Sequence, residues 1–373
     1  MIYLDNAATT PVKPEALQAA WPWLTSEFGN PSSTHELGHR SSVALEDARS
    51  TVAKFFNARP AEVTFTSGGT ESDNLAIIGL ALSNPRGKHI VSARTEHEAV
   101  LAAIEFLERV HGFEATWLDL DEHGQVLNFE SVLRKDTTLV TLMVANNEIG
   151  TLHPIAELAK ATHQVGALFH TDAVQAVGWV DLDLQQLGVD AISISGHKFG
   201  APKGSGVLLL RSGAHAEPLI HGGGQESGLR SGTENVAWAV AIATALKSIA
   251  PITKESKRVS DLRNEFISNV LAKLPNAKLT GHPTNRLPNI ASFTLEGVSG
   301  EAVLLELERR GVIVSSGSAC AAGSDEPSHV LLAIGIAAEV AQTAVRFSFS
   351  HETTAEDLNA AASALVESIA QFI

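Results

Sequence analysis

The sequence predicts an α/β fold in which a large domain, with a mainly parallel sheet flanked by helices, is joined to a smaller α+β domain. As far as Arg211, short apolar runs rich in β-branched residues alternate with amphipathic stretches, which is typical of β-α units. The pattern changes after Pro251 and the charged segment Lys254–Arg258, which indicates a domain boundary nearby. A length of 373 residues also favours about two domains over a single core.

Each apolar run marks one element of this fold. The predicted strands of the large domain are Glu62–Thr66, His89–Ser92, Leu139–Val144, Ala167–His170 and Ala191–Ile194, followed by Gly206–Arg211 as an antiparallel partner. A long helix is predicted over Glu234–Ile249. The second domain is predicted to contain the helices Arg258–Leu274 and Glu301–Arg310, the strands Ile290–Leu295, Val312–Val314 and Ala344–Ser350, and a terminal helix. We expect domains of residues 16–255 and of residues 1–15 with 256–373, the latter carrying a mobile loop at about 315–327.

Composition excludes several function classes. The formal charge is −15, from 42 acidic and 27 basic side chains, so nucleic acid and anionic membranes are not expected partners. The segment Met1–Asn6 lacks the basic start of a secretory signal, and no apolar run approaches the ~20 residues of a membrane span. We therefore expect a cytoplasmic protein. Cys320 is the only cysteine, which excludes an internal disulfide; on composition alone it is more often a small buried hydrophobe than a reactive thiol.

Polar residues follow the predicted strands at their carboxyl ends, where a parallel sheet gathers its ligands. Ser67–Thr70 lies between a strand and a helix, so free N–H groups and the helix dipole would favour a phosphate there, although a Gly-Gly turn is often only a tight connection. Lys198 directly follows a buried strand and is suited to a Schiff base, the alternative being a surface lysine.

Asp172 supports the Schiff-base interpretation. It follows a buried strand and needs a cationic partner, and a pyridinium nitrogen is one whose protonation makes a ring an electron sink. Gln175 could then donate to the phenolic oxygen of the ring. His97 could stack on the ring or move protons, or could equally be a core histidine.

Nine segments together resemble the cysteine desulfurases, a branch of the class V aminotransferase-like, fold-type I enzymes that use pyridoxal 5'-phosphate (PLP). The resemblance is nearly full-length and rests on the segments Tyr3–Thr10, Gly29–Ser33, Thr66–Asn74, Glu96–His97, Asn146–Gly150, Asp172–Gln175, Ser195–Lys198, Gly222–Glu226 and Arg230–Thr233. It implies a seven-stranded sheet in the large domain and a homodimer with its active site at the subunit interface.

The resemblance also implies roles for individual residues. Lys198 would bond to PLP, Asp172 and Gln175 would hold the ring nitrogen and phenolic oxygen, and His97 would stack on the ring and take part in catalysis. The phosphate would be bound by Gly69, Thr70, Ser195 and His197, and by Thr233 of the neighbouring subunit. Asn147 would lie near both the substrate and the ring, and Arg346 would bind the substrate carboxylate; the alternative for Arg346 is a pair with an internal carboxylate.

The loop Ser315–Ser324 resembles the group I branch typified by the NifS and IscS desulfurases, in which the residue matching Cys320 forms a persulfide. Its small residues independently predict an accessible thiol. Departures from the family pattern occur at Phe199–Ala201, Ser227, Ser350 and His351. His221 and His329 lack the spacing of metal ligands, so no metal site is predicted.

The resulting prediction is a PLP-dependent cysteine desulfurase that converts L-cysteine to L-alanine and leaves a persulfide on Cys320. The sulfur would pass to an acceptor protein, such as an iron–sulfur scaffold with a cluster transiently ligated through Cys320, or to tRNA thiolation. Selenocysteine lyase-like or β-lyase chemistry on the same cofactor is the nearest alternative. A non-catalytic sulfur carrier would have little use for Lys198, Asp172 and Arg346 together, and an ordinary transaminase would need no mobile cysteine.

Overall fold

The structure, a computed structural model, describes residues 1–83, 86–316 and 326–372. The strands of this part are β1 (Ile2–Tyr3), β2 (Val63–Thr66), β3 (His89–Ser92), β4 (Glu114–Trp117), β5 (Thr137–Thr141), β6 (Leu168–Asp172), β7 (Ala191–Ser195), β8 (Gly206–Leu210), β9 (Ala277–Leu279), β10 (Ile290–Leu295), β11 (Val312–Ile313) and β12 (Ala344–Ser348). The helices are α1 (Pro14–Thr25), α2 (Glu36–Phe55), α3 (Gly69–Ser83), α4 (Glu98–His111), α5 (Ile155–Gln164), α6 (Leu184–Leu187), α7 (Val236–Lys247), α8 (Ile252–Lys273), α9 (Gly300–Arg309), α10 (His329–Ala333), α11 (Ala338–Ala341) and α12 (Ala355–Ile369).

Seven strands form the large sheet, in the order β2-β8-β7-β6-β5-β3-β4. Only β8 runs antiparallel to its two neighbours, and the other strands are parallel. The predicted α/β fold, its seven-stranded sheet and the antiparallel partner strand are therefore confirmed. Because β5, β6 and β7 run in the same direction, the residues that follow them gather at one edge of the sheet.

Three short strands were not predicted from the sequence: the two-residue strand β1 and the edge strands β4 and β9. The strand β4 lies at the edge of the large sheet and pairs only with β3, and its four residues are partly exposed. An edge strand does not need the continuous apolar run of a strand buried on both faces, so Glu114–Trp117 lacks that signal. The strand β9 is only three residues long and lies at the edge of the second sheet.

The rest of the chain builds two smaller sheets. Strands β12, β10 and β9 form an antiparallel sheet, and β1 pairs with β11 in parallel, which ties the start of the chain to the C-terminal part. Helix α8 begins at Ile252, directly after Pro251, and not at Arg258 as predicted. The charged segment Lys254–Arg258 therefore forms the first turns of a helix, where a preceding proline is well tolerated. Residues 255 and 256, between which the predicted domain division falls, lie inside this helix.

A continuous cluster of buried side chains joins the large sheet to the antiparallel one, running from Phe169 and Ile194 to Phe293 and Phe347. Phe266 of α8 packs edge-to-face against the rings of Phe293, Phe347 and Phe349. Among the described residues, no single helix is long and apolar enough to cross a membrane; α7 and α8 meet that test only together, as a pair bent by 74°.

The Phe266 cluster allows a test of this packing. We expect Phe266→Ala to lower the free energy of unfolding by about 3–5 kcal/mol, because it removes a buried ring and leaves a cavity among three others. Urea denaturation would measure the change. The matched control is Phe372→Ala near the C-terminus, where the ring is 44% exposed and the change should be below about 1 kcal/mol. Equal effects of the two substitutions would contradict the packing described.

Candidate active site

A cavity of about 710 Å³ lies at the carboxyl ends of the parallel strands. It receives side chains from the segments that follow β3 and β5 and from the ends of β6 and β7. Ten of the predicted site residues line it, namely Gly69, Thr70, His97, Asn147, Asp172, Gln175, Ser195, His197, Lys198 and Arg346. Thr233 is exposed and does not line this cavity. Cys320 lies outside the described residues.

The amine of Lys198 is held at the cavity by the N-terminal segment. Lys198 follows β7, and its Nζ donates hydrogen bonds to the carbonyl oxygens of Ala7 and Ala8 at 2.5 and 2.8 Å. Thr10 binds the adjacent turn through two hydrogen bonds to the carbonyl oxygen of His197, from its N–H and its hydroxyl, both 2.9 Å. The lysine is thus an oriented group beside a cavity and not a surface lysine that merely ends a strand.

Asp172 is the last residue of β6 and is buried. Its Oδ1 accepts a hydrogen bond from the N–H of Val174 at 2.8 Å. Burial raises the pKa of Asp172, while the charges of His97 and Lys198 act in the opposite direction. A buried carboxyl group of this kind is stabilised in its charged form by a cationic partner, such as the protonated nitrogen of a pyridine ring.

Two more buried acids surround Asp172. Burial raises the pKa values of Asp73 and Glu96 well above their usual range, and the charge of Asp172 raises both further. Asp73 Oδ1 and Glu96 Oε2 are buried without a hydrogen-bond partner in the described part of the chain. His170 Nε2 lies 3.7 Å from Asp73 Oδ1, and the two ring nitrogens of His170 bond to Thr141 and Ser193 at 2.8 and 2.9 Å. The surroundings of Asp172 therefore favour added positive charge.

The predicted phosphate end of the cavity is formed where α3 begins. A Cβ atom on Gly69 would lie 2.9 Å from Cγ2 of Val174, so only glycine allows the start of α3 to approach the segment after β6 this closely. Ser195 and His197 line the same cavity. Burial lowers the pKa of His197 to about 4, with Lys198 and Lys203 contributing, so at neutral pH its ring is uncharged and serves as a hydrogen-bonding group.

His97, Gln175 and Asn147 complete the predicted ring environment. His97 caps α4, because its Nδ1 accepts a hydrogen bond from the N–H of Ala99 at 3.1 Å; in the neutral ring the proton is then on Nε2. The amide nitrogen of Gln175 donates to the carbonyl oxygen of Ala7 at 2.9 Å, which uses one of its two N–H groups. The carbonyl oxygen of Asn147 accepts from Arg346 Nη1 at 2.8 Å.

Two roles were predicted for Arg346 of β12, binding the substrate carboxylate or pairing with an internal carboxylate, and its position is compatible with both. Its side chain is buried and lines the cavity, but its Nη2 forms a salt bridge with Asp5 Oδ1 at 2.9 Å. The internal pair that was the alternative to substrate binding is therefore present. A guanidinium group has five N–H donors and can therefore bind more than one acceptor, as the additional bond from Arg346 to Asn147 shows.

Four titratable residues at the cavity were not among the predicted site residues: Asp73, Glu98, Glu148 and His329. His329 lies in the segment Glu326–Leu331, which also resembles the group I branch, but no role at the site was predicted for it. Its Nε2 lies 3.0 Å from the carbonyl oxygen of Glu96, and its Nδ1 lies 3.5 Å from Glu98 Oε1. Glu148 Oε2 accepts from the hydroxyl of Ser328 at 2.5 Å. Glu148 and Asp73 fall inside segments quoted for the resemblance, which was the available signal.

The residues present fit PLP. A buried carboxyl group can pair with the ring nitrogen, the lysine amine can bond to the aldehyde, and hydroxyl, imidazole and helix N–H groups can bind the phosphate. In the described part of the chain, no group of three or more His, Cys, Asp or Glu side chains is arranged to hold a metal ion.

Comparison with known proteins identifies the family. The sequence-family model of the class V aminotransferases matches residues 2–360. The chain belongs to the class V aminotransferase family. The cysteine desulfurase IscS of Dictyoglomus turgidum is 48% identical over 362 residues, which cover 96% of this chain and 92% of that protein.

Solved structures agree with this membership. A NifS-like protein has a TM-score of 0.92 and 33% identity, covering all of both chains. SspA, solved in complex with cysteine, has a TM-score of 0.84 and 34% identity, covering 95% of this chain and all of that one. The predicted resemblance to NifS- and IscS-type class V aminotransferases is confirmed, and with it the fold-type I architecture and PLP as the cofactor.

The buried His170 predicts a pH dependence of stability. Burial lowers its pKa to about 3, whereas an unfolded histidine has a pKa of about 6.5. Below about pH 6.5 the unfolded chain therefore binds one more proton, and this residue reduces stability by up to about 1.4 kcal/mol per pH unit as the pH falls.

We expect His170→Gln to make the free energy of unfolding fall less steeply between about pH 6.5 and about pH 4.5 than it does in the wild type. Urea denaturation at several pH values measures the two slopes. His39→Gln, at an exposed position, is the control and should leave the wild-type slope unchanged. A His170→Gln slope equal to that of the wild type would show that this histidine is not buried in its neutral form.

Proposed function

We propose that the protein is a PLP-dependent cysteine desulfurase, which removes sulfur from L-cysteine, releases L-alanine and passes the sulfur to an acceptor through a persulfide on Cys320. The observation that carries the proposal is that the amine of Lys198 and the carboxyl group of Asp172 line one cavity at the ends of adjacent parallel strands. The similarity to a cysteine desulfurase IscS and to SspA, which was solved with cysteine, supports this substrate.

When bound, PLP supplies an electron sink for negative charge that develops at the substrate Cα. Asp172 would hold the proton on the ring nitrogen, which maintains that sink. Gly69, Thr70, Ser195 and His197 would bind the phosphate, and His97 and Gln175 would contact the ring. Lys198 would remove the Cα proton and return one to the product, for which its position between the cavity and the carbonyl groups of Ala7 and Ala8 is suited.

The sulfur step requires Cys320 as a thiolate. Its sulfur would attack the substrate sulfur, so that an S–S bond forms while the substrate Cβ–S bond breaks and the electron pair passes to carbon. Protonation of that carbon completes alanine, and the sulfur atom stays on Cys320 as a persulfide. Atoms balance without a further oxidant or reductant, because the transferred sulfur is oxidised as the carbon is reduced.

Arg346 and Asn147 would bind the substrate. Arg346 is held between Asp5 and the carbonyl oxygen of Asn147, so its orientation is set before a substrate carboxylate arrives. His97 would move protons near the ring. These roles follow from the residues that share the cavity and from the family resemblance.

The same proposal includes a homodimer, a cytoplasmic location and the two domains of residues 16–255 and of 1–15 with 256–373. Most of the loop predicted at about 315–327 lies outside the described residues. Thr233 is exposed and outside the cavity of its own chain, as suits a residue that reaches the phosphate of a neighbouring subunit. The segment before it is anchored by the pairs Arg49–Glu226 and Arg230–Glu71, at 2.7 and 2.9 Å. The acceptor would be an iron–sulfur scaffold or another sulfur-carrying protein.

The activity can be tested with the purified protein, PLP and L-cysteine. We expect one alanine per sulfide released by a reductant, and a gain of one sulfur atom in the mass of the Cys320 peptide. Cys320→Ser should keep the visible spectrum of the bound cofactor and abolish the persulfide, because serine cannot hold the sulfur. Absence of alanine would contradict the proposal, and pyruvate in place of alanine would indicate a β-lyase.

The cofactor assignment has a separate test. Lys198→Ala should abolish the visible absorbance of the covalently bound cofactor and reduce alanine formation by at least about 10³-fold, because both the attachment point and the proton carrier are lost. Lys203→Ala, five residues further along at an exposed position, is the matched control and should retain both signals. A Lys198→Ala variant with an unchanged spectrum would refute the role of this lysine.

A further inference from the structure

A buried guanidinium group lies behind the loop that carries Asn147. Arg286 is 3% exposed; its Nη1 donates to the carbonyl oxygens of Thr280 and His282 at 3.1 and 3.3 Å, and its Nη2 donates to that of Ile149 at 3.0 Å. Within the described ranges, its Nε has no hydrogen-bond partner, and no carboxylate is among the charges that shift its pKa. The hydrogen bonds that hold this cation in place are thus made to backbone carbonyl groups.

Such a group is expensive to bury. Loss of solvent lowers the pKa of Arg286 to about 9, with a further contribution from the charge of Arg263. An apolar side chain of similar volume would fill the same space at a lower cost in desolvation. The directional N–H donors of the guanidinium are what distinguish it from such a side chain.

The loop itself, residues 146–151, is nearly all buried, and Ile149 packs in a hydrophobic cluster with Val330 and Leu331. Its amides are largely satisfied by Asn146, whose Oδ1 accepts from the N–H groups of Glu148 and Ile149 at 2.8 and 2.9 Å. Gly150 has φ = +79°, which favours glycine, and turns the chain back. Two carbonyl oxygens of the loop accept from guanidinium groups: that of Asn147 from Arg346 and that of Ile149 from Arg286.

These two guanidinium groups hold the loop at different points. Arg346 bonds to it within the cavity, whereas Arg286 bonds to it from the segment that precedes β10. That segment adds two backbone hydrogen bonds, from Leu287 N–H to Gly150 and from Leu152 N–H to Asn285, at 2.8 and 3.1 Å. The side chains of Asn147 and Glu148, which lie between the two points, line the cavity.

We propose that Arg286 is a positioning residue of the active site: by holding the carbonyl oxygen of Ile149, it keeps loop 146–151 where Asn147 and Glu148 line the cavity. The part that concerns turnover rests on the proposed desulfurase function. Arg286 does not line the cavity and acts only through the loop.

The chain offers a matched control. Arg263 is also 3% exposed, and its Nη1 donates to the carbonyl oxygens of Arg286 and Leu287 at 3.2 and 2.5 Å. Burial lowers its pKa to about 10. It is thus a second buried arginine bonded to backbone carbonyl groups, but no hydrogen bond of its side chain reaches loop 146–151 within the described residues. Arg286→Lys therefore removes a guanidinium group that bonds directly to the loop. Arg263→Lys removes a similar group that does not bond to the loop directly.

The test compares the two variants by hydrogen exchange and by kinetics. We expect Arg286→Lys to accelerate exchange of the amides of residues 148–150 at least about tenfold, to change the visible circular dichroism of bound PLP and to lower kcat for L-cysteine by about 10–10²-fold, since small misplacements of site groups are costly. Arg263→Lys leaves the bond from Arg286 to the loop in place and acts only on the segment that carries Arg286, so it should change all three clearly less than Arg286→Lys does. Equal effects of the two variants, or no effect of Arg286→Lys on exchange, would overturn the proposal.

A measurement on the wild type covers the case in which Arg286→Lys does not fold. Under increasing denaturant, the amides of residues 148–150 and of residues 280–287 should open in one step, because Arg286 joins the two segments. Opening of the loop at lower denaturant than segment 280–287 would overturn the proposal. Because exchange is measured without L-cysteine, a wild type that forms no alanine would contradict the desulfurase function and leave this result unaffected.

Discussion

The active site depends on hydrogen bonds that the N-terminal segment, residues 4–10, makes in two directions. Toward the C-terminal sheet, Leu4 accepts from the N–H of Ser348, and Ala7 donates to the hydroxyl of Ser348, at 2.7 and 2.8 Å. Toward the large sheet, the carbonyl groups of Ala7 and Ala8 hold Lys198. One short segment therefore sets the distance between Arg346, which is two residues before Ser348 on β12, and the amine that would react with the cofactor.

Burial explains why so many polar groups are needed around this cavity. Asp73, Glu96 and Asp172 are all buried, and the charge of Asp172 raises the pKa values of the other two. In the proposed function, a protonated pyridine nitrogen held by Asp172 would bring positive charge to this cluster, so cofactor binding would be coupled to the ionisation of these acids. Arg286 presents the opposite case, a buried cation whose hydrogen bonds are made to carbonyl groups. In the proposal above, the free-energy cost of burying it is tolerated because it holds loop 146–151 in place.

Much of the site could be predicted because its position depends on the direction in which the strands of the large sheet run. Strands of one direction place the residues that follow them at a single edge, so the pattern of apolar runs alone indicates that Asp172, Ser195 and Lys198 should meet. The predicted strands β5, β6 and β7 were correct to within a few residues. The short edge strands β4 and β9 were missed, because an edge needs no apolar run, and helix α8 was started too late, because its charged first turns resemble a linker.

The sequence by itself determined the α/β fold, the family and ten residues of the cavity, because strand order and short motifs carry that information locally. Only the tertiary structure decided which groups pair across long separations in the chain. It placed Asp5 against Arg346, Ala7 and Ala8 against Lys198, and Arg286 against Ile149. Such pairs join segments up to 341 residues apart, and no periodicity or spacing encodes them, because they arise only when distant segments of the chain pack against each other.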